Sequence, residues 1–132
     1  MPIDPNRETW KPGMSWEEAI EDIEYIRRLG QEMGGSERVE RQHSGGRYTI
    51  RERIQKMVDE GSFVEAGPLV GAAEYDENGN LCEFTPGAYV MGLAEIDGRP
   101  VAIGGDDFTI SGGSPHNVRK HSRQFTQPLA IQ

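Results

Sequence analysis

The sequence predicts an α/β chain, in detail an α+β arrangement in which helices come first and a β-hairpin follows. Three observations carry this reading. Apolar residues recur at three- and four-residue spacing from Trp16 to Met33, a second helix-start signal stands at Thr49, and an Asp97-Gly98 pair separates two strand-like runs. At 132 residues the chain is the size of one domain at most.

The elements follow in order. Residues 1–14 hold Pro2, Pro5 and Pro12 and read as an irregular arm, with Trp10 as a candidate anchor. Ser15 is an N-cap and Glu18, three residues on, completes a capping box. Trp16, Ala19, Ile20, Ile23, Ile26, Leu29 and Met33 then form the apolar stripe that a helix over about Ser15 to Met33 would bury. Glu17, Glu18, Glu21 and Asp22 load its start and Arg27 and Arg28 its end, the order the helix dipole favours, and Gly34-Gly35 stops it. Residues 36–48 are polar and read as a turn-rich connector. Thr49 and Glu52 make a second capping box, Ile50, Ile54, Met57 and Val58 a short apolar face, and Gly61 an end.

Ser62–Glu65 has strand character. Residues 66–87 read as loop, broken by Pro68, the Asp76–Asn80 turn and Pro86-Gly87. Tyr89–Ile96 and Arg99–Ile103 flank Asp97-Gly98, the strongest short hairpin signal, and Asp107–Ile110 extends the strand character. Ser114, with Pro115 at the first helical position, is expected to open a third helix with Val118, His121, Phe125 and Leu129 on its face and Pro128 as an interruption. The apolar Leu129-Ala130-Ile131 ending leads us to expect one piece of a larger protein.

Composition narrows the function. Acids outnumber bases 22 to 14, a formal net charge of −8, which argues against a generic nucleic-acid or anionic-membrane surface. Arg outnumbers Lys eleven to three, which favours forked contacts to phosphate or carboxylate. Cys82 is the single cysteine, so no intrachain disulfide or cysteine-rich zinc site can form. With no apolar run of transmembrane length and no apolar signal region, a cytoplasmic protein is expected.

Several groups could carry chemistry. The Gly112-Gly113-Ser114 loop lets backbone approach a ligand closely, and its N–H groups would favour anions or carbonyl oxygens; an ordinary tight turn is the alternative. Arg47, Arg51 and Arg53 form a basic group, but Arg51 and Arg53 stand about 200° apart on a helix and cannot share one fork. Salt bridging to Glu52, Asp59 or Glu60 is the plainer reading. Arg119, Lys120 and Arg123 form a similar run. Asp106 and Asp107, adjacent on a strand, point to opposite faces, so Asp107 is expected to fix the loop by accepting backbone N–H bonds. His43, His116 and His121 match no metal-ligand spacing.

Glu40-Arg41-Gln42-His43, Gly46-Arg47, Thr49–Ile54, Gly61–Glu65, Gly92, Ile96, Gly98-Arg99-Pro100-Val101, Asp107-Phe108-Thr109, Gly112-Gly113-Ser114 and Lys120 together resemble the opening of a carboxyltransferase domain. The family is the β subunit of biotin-dependent acyl-CoA carboxylases, propionyl-CoA carboxylase among them, and the resemblance spans roughly residues 34–120. It implies a crotonase-like fold, a spiral of ββα units. It also implies transfer of carboxyl from carboxybiotin, carried by a partner, to the α-carbon of an acyl-CoA, without metal at this half-site. Residues 66–87 and Pro115–Gln127 depart from the family pattern. The Gly-Gly-Ala segment of the enolate site and the homologous second half are not in this sequence.

On this resemblance Gly112, Gly113, Ser114, Arg51 and Lys120 are expected to contact the acyl-CoA, with no catalytic residue in the chain. The implied partners are a biotin carboxylase or biotin carrier subunit and further copies of the chain. A non-catalytic scaffold or assembly segment, with the first helix packing against another subunit, is the alternative reading. An acyl-CoA decarboxylase relative is another.

Overall fold

The computed structural model describes residues 3–114 and 121–131, with side chains left out of account at 121–124. Three helices open the fold: α1 (Trp16–Gln31), α2 (Ser36–Ser44) and α3 (Ile50–Met57). Both predicted capping boxes form. Ser15 Oγ accepts from the Glu18 N–H while Glu18 accepts from the Ser15 N–H, and Thr49 and Glu52 repeat the exchange at α3.

Five strands follow: β1 (Val64–Glu65), β2 (Gly71–Tyr75), β3 (Leu81–Pro86), β4 (Tyr89–Ile96) and β5 (Arg99–Asp106). They make two antiparallel sheets, one ordered β1-β4-β5 and one a separate β2-β3 hairpin. The predicted hairpin forms, with Ile96 opposite Arg99 and Tyr89 opposite Asp106. Asp97 and Gly98 both take positive φ, 50° and 71°, as a primed two-residue turn requires. Asp59 clamps this turn: its two carboxylate oxygens accept from the Asp97 and Gly98 N–H groups at 2.9 and 2.8 Å. Gly92 lets β1 lie close, since a β-carbon there would stand 2.2 Å from the Val64 carbonyl oxygen. A last helix, α4 (His121–Ile131), packs on β4 and β5 and runs through Pro128, which was expected to interrupt it. There Thr126 Oγ1 meets the Tyr89 hydroxyl at 3.2 Å.

Four expectations need correction. The segment read as a turn-rich connector contains α2, a polar helix with Val39 half-buried and no fully buried residue, so its periodicity is faint. The segment read as loop holds the β2-β3 hairpin about the Asp76–Asn80 turn, where Asp76 Oδ1 accepts from the Asn78 and Asn80 N–H groups. Its register skips Cys82, so Leu81 and Phe84 are both buried although three apart, and the two-residue alternation is hidden. Asp107–Ile110 is a turn and not a strand.

The fourth correction concerns α1. Leu29 is buried, but Trp16, Ile20 and Ile23 are 81%, 59% and 43% exposed. The helix turns a different side inward because the N-terminal arm packs on it. Arg7 pairs with Asp22 and lies over the Tyr25 ring, the Asp4 N–H donates to the Tyr25 hydroxyl, and Thr9 Oγ1 accepts from the Leu81 N–H. Leu29, Leu81 and Phe84 then form one core cluster, with Ile3, Tyr25 and Ile26 packed against it. Buried Thr9 anchors the arm, whereas Trp10 is partly exposed and donates from Nε1 to the Ser15 carbonyl. The predicted helix start at Ser114-Pro115 and residue Val118 lie outside the described residues.

Candidate functional site

The turn after β5 organises a site. Asp107, 1% exposed, accepts through Oδ1 from the Thr109 N–H (2.9 Å) and the Thr109 hydroxyl (2.6 Å). This is the loop-fixing role expected of it. The same hydroxyl accepts from the Gly34 N–H at 2.9 Å, and the Thr109 carbonyl accepts from Arg38 at 3.4 Å. Gly34 must lack a side chain, because a β-carbon there would stand 2.1 Å from the Thr109 carbonyl oxygen. Strand β5, the α1–α2 connector and the start of α2 are thus tied at one point.

Two adjoining clefts open beside that tie. One, of about 410 Å³, is lined by Arg38, Arg41, Gln42, Arg47, Phe108, Thr109, Ser111 and Gly112. The other, of about 340 Å³, shares Gln42, Arg47, Phe108 and Thr109 and adds Arg53, Tyr48 and Asp106 among its walls. Arg38 and Arg41 stand three apart on α2, hence on one side of it. Among the described residues Arg41 makes only an exposed, 3.5 Å pair with Glu37. Among the described residues Arg47 and Arg53 make no ion pair. Four guanidinium groups therefore border clefts that also present an exposed aromatic ring, Phe108, and the half-exposed Tyr48. Such a surface suits a phosphate-bearing anion with a flat ring.

The predicted site residues separate. Ser111, Gly112 and Gly113 form a single 3₁₀ turn in which all three have positive φ, 47°, 63° and 77°. Gly112 faces the arginine cleft, and a β-carbon there would meet nothing within 4 Å. Gly113 is buried beneath it against Asp106 and Phe108. The Gly113 and Ser114 N–H groups donate to the Ile110 and Ser111 carbonyls, so among the described residues the row of open amides expected of this loop reduces to that of Gly112.

Arg51 is not at the cleft. Its two terminal nitrogens fork onto Glu65 at 2.8 Å each, a half-buried pair that ties α3 to β1 and leaves no open fork for a phosphate. The salt-bridge reading of Arg51 holds, with Glu65 in place of the acids expected. Lys120, like His116 and Arg119, lies outside the described residues. Arg38 and Arg41 escaped the sequence reading because α2 did; their three-residue spacing was the available signal.

Electrostatics near the clefts centre on Glu52. Its carboxyl is lowered to about 2, first by the Thr49 N–H and then by His43, whose Nε2 stands 3.0 Å from both carboxylate oxygens. The contact holds the end of α2 against the start of α3. Among the described residues no group of three or more His, Cys, Asp or Glu could hold a metal, and no helix is long and apolar enough to cross a membrane.

The architecture is similar to solved transcarboxylase 12S, described as a hexamer assembly with methylmalonyl-coenzyme A and methylmalonic acid bound. The TM-score is 0.65 at 33% identity over 80% of this chain and 20% of that one. The fold is thus a portion of the crotonase-like class. Residues 41–130 match the carboxyl transferase domain family, and the chain belongs to that family. It is 38% identical over 96 residues to the mitochondrial propionyl-CoA carboxylase beta chain of Homo sapiens, 71% of this chain and 18% of that protein. It is 41% identical over 99 residues to the methylmalonyl-CoA decarboxylase subunit alpha of Veillonella parvula, 75% of this chain and 19% of that protein. The chain spans about a fifth of the length of these relatives.

Proposed function

We propose that this chain is the N-terminal part of a biotin-dependent acyl-CoA carboxyltransferase and lines the acyl-CoA side of its site. One observation carries the reading: the Gly112 turn borders a cleft walled by Arg38, Arg41 and Arg47, and the adjoining cleft adds Arg53. The arginines would hold the phosphates of the CoA, Phe108 or Tyr48 would offer a face to its base, and Gly112 would let the chain pass close to the backbone. Carrying Arg47 and not Arg51 in this role follows from the fork on Glu65. Gly113 would support the turn from beneath. Ser114 and Lys120 stay in the proposal on the family resemblance.

The clefts are open and cation-lined, which suits a polyanion better than a neutral ureido ring. We place no residue of this chain against biotin. Carboxybiotin would arrive on a carrier partner, and the acceptor carbon would meet it on the remainder of the polypeptide. Further copies of the chain, a biotin carboxylase or carrier subunit, and a reducing cytoplasmic location consistent with the lone exposed thiol of Cys82 complete the reading. Similarity to a methylmalonyl-CoA decarboxylase subunit keeps the reverse reaction as a second reading. The 132-residue chain alone should not turn over; carboxyl transfer by it would contradict us.

The test uses Gly112→Asn in the full-length polypeptide. Asn tolerates positive φ, and its side chain would project into the cleft, so folding should be unaffected while acyl-CoA binding weakens about tenfold or more. Arg47→Ala should weaken binding and flatten its salt dependence. Unchanged acyl-CoA affinity in both variants would remove the site.

A further inference from the structure

Arg53 has no acid within reach on its own helix. Its neighbours three and four residues away are Thr49, Ile50, Lys56 and Met57. Lys56, on the same side of α3, lies with Nζ over the Tyr48 ring, 4.6 Å from its centre. Among the described residues neither Arg53 nor Lys56 joins an ion pair. Two like charges at this spacing repel, a small cost that an anion held between them removes. Tyr48 and Arg53 line the cleft of about 340 Å³ and not its neighbour, whereas Arg38, Arg41 and Gly112 line only that neighbour.

We propose that Arg53, with Lys56 beside it, binds the 3′-phosphate of the CoA and so sets a preference for CoA over its dephospho form. The inference rests on the acyl-CoA reading of the clefts. The order of groups along the ligand carries it. CoA runs in one line from thioester through pantetheine and diphosphate to ribose, where the 3′-phosphate and the adenine stand together. Gly112 marks the cleft in which the chain passes the backbone, so the diphosphate, next along, meets Arg38 and Arg41 in that same cleft. Arg47 lines both clefts and stands at the crossing. The ribose then enters the second cleft, where Tyr48 offers a ring to the adenine and Arg53 a fork to the 3′-phosphate.

Charge fits the same order. A bridged diphosphate carries its negative charge on two phosphorus centres, and two arginines three apart on α2 can each take one. The 3′-phosphate is a monoester and concentrates roughly two charges on a single phosphorus at neutral pH. There Arg53 supplies the fork and Lys56 a point charge. Asp106 borders this cleft too, and a carboxylate there suits the ribose 2′-hydroxyl, which stands next to the 3′-phosphate and can donate to it. Among the described residues no carboxylate lines the diphosphate cleft.

The test titrates CoA and dephospho-CoA calorimetrically into the full-length polypeptide and its variants, so the identity of the acyl group does not enter. The parent should bind CoA about tenfold or more tightly than dephospho-CoA. Arg53→Ala should weaken CoA and leave dephospho-CoA unchanged, bringing the preference below about threefold. Arg41→Ala should weaken both ligands alike and keep the preference. Arg53→Lys should restore part of it, since it keeps the charge and loses the fork. Circular dichroism checks the fold, and Arg53→Gln repeats the measurement if Arg53→Ala loses helix. If Arg41→Ala weakens both ligands while Arg53→Ala weakens both equally or neither, the acyl-CoA reading stands and this assignment falls. A preference lost with Arg41→Ala and kept with Arg53→Ala reverses the order of the ligand and also overturns it. Unchanged affinity for both ligands in every variant removes the clefts as the site, and this inference with them.

Discussion

Replacing Thr109 by Val is the sharpest test of how the site is held together. Valine fills nearly the same volume, so no cavity opens and the change is confined to the hydroxyl. Two bonds are lost: the 2.6 Å donation to Asp107 and the acceptance from the Gly34 N–H at 2.9 Å. Asp107 is almost fully buried, yet it keeps the Thr109 N–H, so its loss lies at the low end for a charged acceptor, about 1.5 kcal/mol. The Gly34 N–H is half-buried and loses the one partner it has among the described residues, a further cost of about 1 kcal/mol. The total is about 2.5 kcal/mol, to be read by urea unfolding at constant m-value. Thr109→Ser keeps both bonds and should cost no more than about 1 kcal/mol for its missing methyl. A Thr109→Val variant within about 0.5 kcal/mol of the parent would refute the tie between β5 and the α1–α2 connector.

Three further outcomes follow from the geometry. Gly92→Ala should cost about 3 kcal/mol or prevent folding, because the new β-carbon meets the Val64 carbonyl across the β1-β4 pair; calorimetry checks it. Asp59→Ala should cost about 1–2 kcal/mol by releasing the Asp97-Gly98 turn, with amide exchange rising first at those two residues. The Glu52 carboxyl, lowered in the fold from 4.5 to about 2, stabilises the fold fully above its unfolded value, and that stability should drain away as pH falls from about 4.5 to about 2. Glu52→Gln should flatten that part of the stability–pH curve, and an unchanged acid limb would contradict the assignment.

The elements that local chemistry dictates were legible from the sequence. A capping box closes within three residues, so Ser15/Glu18 and Thr49/Glu52 announce α1 and α3 directly. Asp97-Gly98 needs only its own positive φ to define the β4-β5 turn and its register. Asp107 was legible as a loop-fixing carboxylate for the same local reason.

What only the tertiary structure decided depends on partners distant in the chain. The β2-β3 hairpin hides its alternation by passing over Cys82, and it is revealed by Leu81 and Phe84 packing against Leu29. Which side of α1 turns inward was set by an arm that docks through Arg7 and Thr9, since periodicity defines a stripe but not what covers it. Arg47 and Arg51 share one basic group in the sequence, and Arg51 was the one expected at the acyl-CoA. Glu65, fourteen residues beyond Arg51, claims its fork, while α2 and the Phe108 turn gather Arg47, Arg38 and Arg41 around one cleft. A short-range signal is fixed by backbone geometry and survives any context. A choice between equivalent side chains is made by whichever long-range contact the fold brings within reach.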